Sequence, residues 1–121
     1  MGAFDDLATL RPLLVWNGVT GRALHGERVT LAVVELEPAS VVPEHAHEHE
    51  QLGMVLTGSV RFRVGDDERE LGPGDTWRIP SNTPHEVHAG SEGAVVVDVF
   101  GPPREDWARL ETIEPRPPLW P

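Results

Sequence analysis

The stretch that decides the fold spans residues 43–58 and reads PEHAHEHEQLGMVLTG. Within it, His45, His47, His49 and Gln51 occupy alternate positions. Side chains alternate between the two faces of a β-strand, so residues two apart share a face. His45 and His47 are therefore expected to lie side by side. Such a pair, with an amide or a carboxylate nearby, indicates a metal site more often than a chance cluster.

The remaining donors of this site are not equivalent. Residues 48–50 are expected to form a turn that breaks the alternation, so His49 is predicted to lie at the rim and not to bind. His85, in the stretch IPSNTPHEVH, is the best further donor, and His88 three residues later would face the opposite way. Neutral imidazoles and an amide oxygen suit one divalent transition metal, namely Ni, Zn, Fe, Mn or Co.

Short β-like runs surround this stretch, separated by glycine and proline. The run RVTLAVVELEP, residues 28–38, is apolar on most of both faces and predicts a strand buried on both sides. SVRFRVGDDERELGPGD, residues 59–75, predicts a hairpin that turns at GDDE, and TWRIP, HEVHA and AVVVDVFG predict three more strands. Only residues 104–112 suggest a helical turn or two. The pattern is typical of an all-β sandwich or barrel.

Length and composition limit the classes of function. A chain of 121 residues fits a single domain. Its net charge of −10 and the lack of a Lys/Arg cluster disfavour nucleic-acid binding and favour a small-molecule partner. The absence of cysteine excludes thiolate ligands, thiolate catalysis and disulfides. The start resembles no signal peptide and no segment has the length of a membrane span, so we expect a cytoplasmic protein without a membrane partner.

The last predicted strand and the loop after it supply three candidate catalytic residues. Asp98 lies in an apolar strand, where it is either a hydrogen-bonded structural residue or a general acid or base that faces a cavity. Phe100 shares its face and would give that cavity an aromatic wall. Arg104 follows a rigid GPP loop and either binds a substrate carboxylate or pairs with Glu105 or Asp106 at the surface.

Two spaced motifs make the sequence resemble the cupins. The first cupin motif, G-x5-H-x-H-x3/4-E-x6-G, is matched by His45, His47 and Gly58, while Ala39 stands at the leading glycine position and Gln51 at the glutamate position. The second, G-x5-P-x-G-x2-H-x3-N, is matched by Gly74, Pro80 and His85, while Asn82 stands at the inner glycine position and Ala89 at the final asparagine position. The resemblance implies a double-stranded β-helix, or jelly-roll barrel, with little helix. It also implies that His45, His47, Gln51 and His85 bind a metal at the mouth of the barrel.

The resemblance extends to one kind of small cupin. HxHxHEQxGxVLxG, LGPGDxWxIPxNxPH and DVFxPPRED look like the KdgF-type proteins of pectin and alginate degradation, which linearise 4,5-unsaturated uronates. It implies functional roles for Asp98, Phe100 and Arg104, and an anionic small-molecule substrate. Gln51 departs from the usual cupin glutamate, so one negative charge is missing from the donor set and a bound ion keeps more of its positive charge.

Other functions are compatible with the same pattern, because a fold does not determine a function. One alternative is an Fe- or Mn-dependent dioxygenase, another is an isomerase of small molecules, and a third is a non-catalytic metal- or ligand-binding sensor. We expect one cupin domain over residues 1–121, with a core at about 28–101 and a proline-rich arm or frayed tail at about 113–121. Apolar residues on both faces of the first and last predicted strands suggest a homodimer.

Overall fold

The computed structural model describes residues 2–121, and its regular structure is almost entirely antiparallel β-strand. Among these residues the only helical segments are two short 3-10 turns, Leu7–Thr9 and Glu105–Arg109. The predicted all-β jelly roll with little helix is therefore confirmed. The eight strands are β1 Leu13–Trp16, β2 Val19–His25, β3 Thr30–Leu36, β4 Val41–His45, β5 Glu50–Val64, β6 Asp67–Leu71, β7 Thr76–Ile79 and β8 His85–Gly101.

Two long strands, β5 and β8, build the jelly roll because each contributes to two sheets. The first part of β5 lies between β7 and residues 94–101 of β8, and β3, β2 and β1 extend this sheet beyond β8. The second part of β5 lies between β6 and residues 85–89 of β8, and β4 completes that sheet. HEVHA and AVVVDVFG, predicted as two strands, thus form one continuous strand. The first two strands, β1 and β2, were not predicted from the sequence.

Glycines at the bend allow the two long strands to pass from one sheet to the other. Gly58 and Gly93 have positive φ angles of 79° and 74°. A Cβ atom on Gly58 would collide with the carbonyl oxygen of Gly93. Gly58 is the last glycine of the first cupin motif, so the motif preserves a close contact between β5 and β8.

Two other motif positions also need the left-handed backbone conformation, although neither holds glycine here. Ala39 occupies the leading glycine position of the first motif and has φ 59°. Asn82 occupies the inner glycine position of the second motif and has φ 60°. Asparagine tolerates this conformation better than alanine does, so the strain is concentrated at Ala39.

Alternating side chains fill the space between the sheets. On β3, Ala32, Val34 and Leu36 face the core while Val33 and Glu35 are buried on the outer face, which confirms a strand covered on both sides for much of its length. The predicted hairpin is confirmed as well, with Val60 and Phe62 in the core. Its turn is shorter than GDDE, because β6 already begins at Asp67.

The C-terminal residues form an ordered arm on the outer face of the first sheet. Glu35 accepts hydrogen bonds from Arg22 Nη1 at 2.8 Å, from Arg116 Nη2 at 3.1 Å and from the Leu119 backbone N–H at 2.9 Å. Arg22 also donates to the carbonyl oxygen of Arg116 at 2.7 Å. Trp120, the only aromatic residue of the arm, is 36% exposed. The arm is thus held by one buried charge network and not by an aromatic side chain.

Candidate metal centre and its cavity

Three histidines from different strand ends converge at one end of the barrel. His45 ends β4, His47 follows in the loop before β5, and His85 begins β8. One ring nitrogen from each lies within 4.8 Å of the other two. His45 and His85 are directly paired across β4 and β8, which explains how residues 40 positions apart in the chain meet. The sequence prediction of His85 as the distant partner is consistent with this geometry.

Backbone carbonyls orient all three rings in the same way. The Nδ1 atoms of His45, His47 and His85 lie 2.8, 2.9 and 2.8 Å from the carbonyl oxygens of Pro43, His49 and Thr83, respectively. Because a carbonyl oxygen only accepts hydrogen bonds, each Nδ1 carries the proton, and each Nε2 is left with a free lone pair. His85 Nε2 is buried and has no hydrogen-bond partner among residues 2–121. These are properties of metal-binding histidines.

Gln51 adds a fourth donor atom to the three rings. Its Nε2 donates to Asp98 Oδ1 at 2.9 Å, so its Oε1 points the other way, 3.2 Å from His47 Nε2. With the proton of His47 on Nδ1, two lone pairs face each other across this gap and no hydrogen joins them. A cation between them removes that repulsion, and ligand distances of about 2.0–2.2 Å fit the separation. The donor set therefore fits a divalent transition metal.

The environment keeps the imidazoles neutral, as metal ligands must be. Burial lowers the pKa of His45 and of His47, and the nearby positive charge of Arg104 lowers both further. Burial is also the main reason that the pKa of His85 falls to about 4. The site is thus ready to bind a cation at neutral pH without first releasing protons from its rings.

Asp98 is buried, and its side chain is hydrogen-bonded on one oxygen. Its Oδ1 accepts hydrogen bonds from Gln51 Nε2 and from Trp77 Nε1, each at 2.9 Å. Burial raises the pKa of Asp98 to about 6, even though these two hydrogen bonds and Arg104 favour the charged form. Asp98 therefore accepts hydrogen bonds, as a structural residue would, and it also faces the cavity, as a general acid or base would.

Arg104 is held by two aromatic rings and one carboxylate. Its guanidinium carbon lies 4.7 Å from the ring centres of both Phe100 and Trp107. Nε and Nη2 donate to the two carboxylate oxygens of Asp106 at 3.1 and 3.0 Å. Its backbone N–H donates to Thr30 Oγ1 at 2.9 Å. Arg104 forms an ion pair with Asp106, one of the two partners expected from the sequence. Arg104 itself is buried and does not lie at the open surface.

These residues line one cavity of about 270 Å³ inside the barrel. Its lining is mostly apolar and includes seven valines. The polar and charged lining residues are His45, Gln51, His85, Asp98, Arg104 and Asp106. Three of the candidate metal donors, the buried carboxylate and the guanidinium therefore line one space that a small molecule could enter.

The two other histidines of these segments lie outside the cluster of three. His49 contributes its backbone carbonyl to His47, and its ring stands 5.4 Å from the ring of His47. His88 is exposed and its Nε2 lies 2.6 Å from Glu86 Oε2. Both placements agree with the sequence predictions of a supporting residue at the rim and of a side chain on the opposite face.

Sequence reasoning missed Trp77, Gly53 and Asp106. The TWRIP segment was expected to be a strand, but nothing in one sequence indicates which of its faces meets Asp98. Gly53 pairs in register with both Trp77 and Asp98, which only the strand pairing reveals. Asp106 was weighed only as a surface partner of Arg104.

The fold and the site together define a cupin. Residues 32–100 match the Cupin_2 family, described as a cupin domain, and the chain belongs to this family. Among the described residues, no helix is long and apolar enough to cross a membrane.

Within the family, the chain is a small cupin that resembles KdgF. It is 30% identical over 98 residues to the pectin degradation protein KdgF of Dickeya dadantii (strain 3937), covering 80% of this chain and 81% of that protein. The structure of KdgF from Halomonas sp. matches with a TM-score of 0.80 and 28% identity, covering 88% of this chain and 98% of that one. Oxalate decarboxylase OxdC of Bacillus subtilis (strain 168) is 29% identical over 79 residues, 61% of this chain but only 20% of that protein.

Proposed function

We propose that this cupin is a metal-dependent enzyme that linearises 4,5-unsaturated uronates, the sugars released by polysaccharide lyases. The observation that carries the proposal is that one cavity is lined by Asp98, by Arg104 and by three of the four candidate metal donors, with His47 in the same histidine cluster. The similarity to a pectin degradation protein over most of both chains supports the choice of substrate. The substrate is a small anion, and neither a nucleic acid nor a membrane is required as a partner.

The metal would be held by His45, His47, His85 and Gln51. It is one divalent transition metal, Ni, Zn, Fe, Mn or Co, because imidazole nitrogens and an amide oxygen suit all of these ions. When bound, it supplies positive charge that stabilises negative charge developing on a substrate oxygen. Glutamine in place of glutamate leaves the donor set without a negative charge, so less of the charge of the ion is neutralised.

Arg104 binds the carboxylate of the substrate. A guanidinium has five N–H donors, and Asp106 accepts from two of its nitrogens through one N–H each, so three N–H groups remain for a ligand. The rings of Phe100 and Trp107 both pack against the guanidinium and limit its movement. A preoriented arginine loses less side-chain freedom when it binds a carboxylate, which favours bidentate recognition.

Asp98 carries a proton during the reaction. Ring opening breaks the bond between C1 and the ring oxygen as the C1 hydroxyl loses its proton, which leaves an aldehyde and an enol. The enol becomes a ketone when C4 gains a proton and the enol oxygen loses one, so no atom is gained or lost overall. A pKa of about 6 lets Asp98 accept and release a proton near neutral pH.

The test is a linearisation assay with unsaturated galacturonate, followed by the loss of ultraviolet absorbance of its C4=C5 carboxylate. The metal-loaded chain is expected to exceed the uncatalysed rate, while chelation, Asp98→Asn and Arg104→Ala each reduce the rate toward that background. A wild type no faster than buffer would contradict the proposal. Substrate-dependent oxygen uptake would point to the dioxygenase alternative, and binding without turnover would point to a sensor.

We also propose that the protein is a homodimer that buries the outer face of its first sheet. Leu24, Leu31, Val99 and Leu52 are paired in register across β2, β3, β8 and β5 and form a continuous apolar row. The three leucines of this row are 44%, 42% and 45% exposed. A row of this kind matches an identical row on a second copy, as the two-fold symmetry of most homodimers requires.

A further inference from the structure

Trp77 and Gly53 have no role in the reaction proposed above, yet both contact its buried carboxylate. In the first sheet, Gly53 on β5 pairs with Asp98 on β8 at one side and with Trp77 on β7 at the other. The two side chains meet above Gly53, where Trp77 Nε1 donates to Asp98 Oδ1 at 2.9 Å. A Cβ atom on Gly53 would collide with both Trp77 Nε1 and Asp98 Oδ1. The glycine therefore provides the space in which this hydrogen bond forms.

This hydrogen bond has a consequence for Gln51. The two ends of a side-chain amide have nearly the same shape, and only the hydrogen-bond partners decide which end points where. Asp98 Oδ1 accepts from Gln51 Nε2, and this contact turns Gln51 Oε1 toward the histidines. The opposite orientation would present an N–H group to the ring nitrogens, and an N–H group cannot bind a cation.

We infer that Trp77 is a positioning residue for the metal centre. Its indole N–H fixes the carboxylate of Asp98 above Gly53, and the fixed carboxylate keeps the amide oxygen of Gln51 directed at His45, His47 and His85. This inference rests on the proposed metal site, but not on the identity of the substrate. It also gives a reason for glutamine at position 51, since a glutamate could not donate a hydrogen bond to Asp98.

The test measures the Zn²⁺ dissociation constant of the metal-free protein by calorimetric titration, with no substrate present. Trp77→Phe removes the N–H and keeps an aromatic ring beside Phe62, which Trp77 contacts at 4.7 Å between ring centres. Loss of a group that orients a ligand typically weakens metal affinity about 10–100-fold, and we expect a loss in that range. Trp120→Phe, the same substitution in the C-terminal arm, is the matched control and should leave affinity unchanged.

A second pair of variants separates positioning from charge and does not depend on Trp77→Phe folding. Asp98→Asn keeps an oxygen that accepts from both Gln51 and Trp77, so its Zn²⁺ affinity should stay within about threefold of wild type. Asp98→Leu removes that acceptor and should weaken binding about 10–100-fold. Wild-type affinity in Trp77→Phe or in Asp98→Leu would overturn the inference, as would a wild type that binds no Zn²⁺. A wild type that binds Zn²⁺ in this pattern but turns over no uronate would refute only the proposed substrate.

Discussion

Replacing Glu35 by glutamine should destabilise the protein strongly without affecting the metal centre. Glu35 is buried and accepts hydrogen bonds from Arg22, Arg116 and the backbone of Leu119. Arg22 is 2% exposed, so the substitution leaves a full positive charge in the interior without its counter-charge. It also weakens two of the contacts that hold the C-terminal arm on the sheet.

The size of the effect follows from the loss of one partner of a buried ion pair, which costs about 3–5 kcal/mol. For a chain of 121 residues, 1 kcal/mol corresponds to about 4 °C in Tm. We therefore expect Glu35→Gln to lower Tm by about 12–20 °C. Glu37→Gln, at an exposed position two residues later, should lower it by less than about 2 °C. The double variant Arg22→Met and Glu35→Met should recover much of the loss, because no buried charge then lacks a partner.

The same contact predicts a pH dependence. Burial alone would raise the pKa of Glu35, but the hydrogen bonds from Leu119, Arg116 and Arg22 outweigh burial and lower it below its ordinary value of 4.5. A lowered folded-state pKa means that the carboxylate stabilises the fold above pH 4.5. That stabilisation is lost as the pH falls from about 4.5 through the folded-state pKa. Glu35→Gln cannot titrate, so its stability should change less over this window.

Thermal unfolding followed by circular dichroism, at pH 7 and at several values below 4.5, measures both effects. The Zn²⁺ affinity of Glu35→Gln at 10 °C should match that of wild type, because the arm lies away from the three histidines. A Tm within 3 °C of wild type at pH 7 would refute the argument that Arg22 depends on Glu35. Equal acid sensitivity of the variant and the wild type would refute the assigned pKa direction.

Three further predictions concern the backbone, the substrate and the assembly. Ala39→Gly should raise stability by about 1 kcal/mol in denaturant unfolding, because it removes a left-handed alanine, and no gain would show that this φ is not strained. Arg104→Lys keeps the positive charge but loses the planar set of N–H donors of the guanidinium. The kcat/KM for the uronate should therefore fall about tenfold, mainly through a higher KM. An unchanged KM would exclude binding of the substrate carboxylate by Arg104. Leu31→Arg should convert the proposed dimer to a monomer in sedimentation velocity. Val41→Arg, at an exposed position on the other sheet, should leave the dimer intact. A monomeric wild type would contradict the proposed dimer.

The parts of the fold that depend on local pattern could be predicted from the sequence. Alternation identified β3 and the hairpin of β5 and β6. The same alternation was expected to set His45 beside His47, but His47 lies in the loop after β4, so the loop and not a strand places its ring near His45. A local sequence pattern does not determine which distant segments pair with each other. The sequence therefore failed to predict that β8 is one continuous strand, and it failed to predict the two strands before residue 30. The same limit applies to Gly53, whose function depends on neighbours 24 and 45 positions along the chain.

The site was predictable where residue chemistry alone restricts the choice. Four neutral donors without cysteine indicated the kind of metal centre, and an isolated carboxylate in an apolar strand indicated Asp98. The orientation of Gln51 could not be predicted, because it depends on a hydrogen bond to Asp98, which in turn accepts from Trp77. The sequence left the C-terminal arm open between an ordered arm and a frayed tail, because its anchor is a buried carboxylate on β3, far along the chain from the arm itself.

The central claim is that a metal held by these donors makes the protein a uronate-linearising enzyme. The most direct measurement is a carbon NMR time course of unsaturated galacturonate with metal-loaded protein, with chelator-treated protein and with buffer. We expect rapid loss of the C4 and C5 alkene signals and rapid appearance of a ketone and a C4 methylene with metal-loaded protein, and only the slow uncatalysed conversion in the other two samples. Equal rates in all three samples would contradict it.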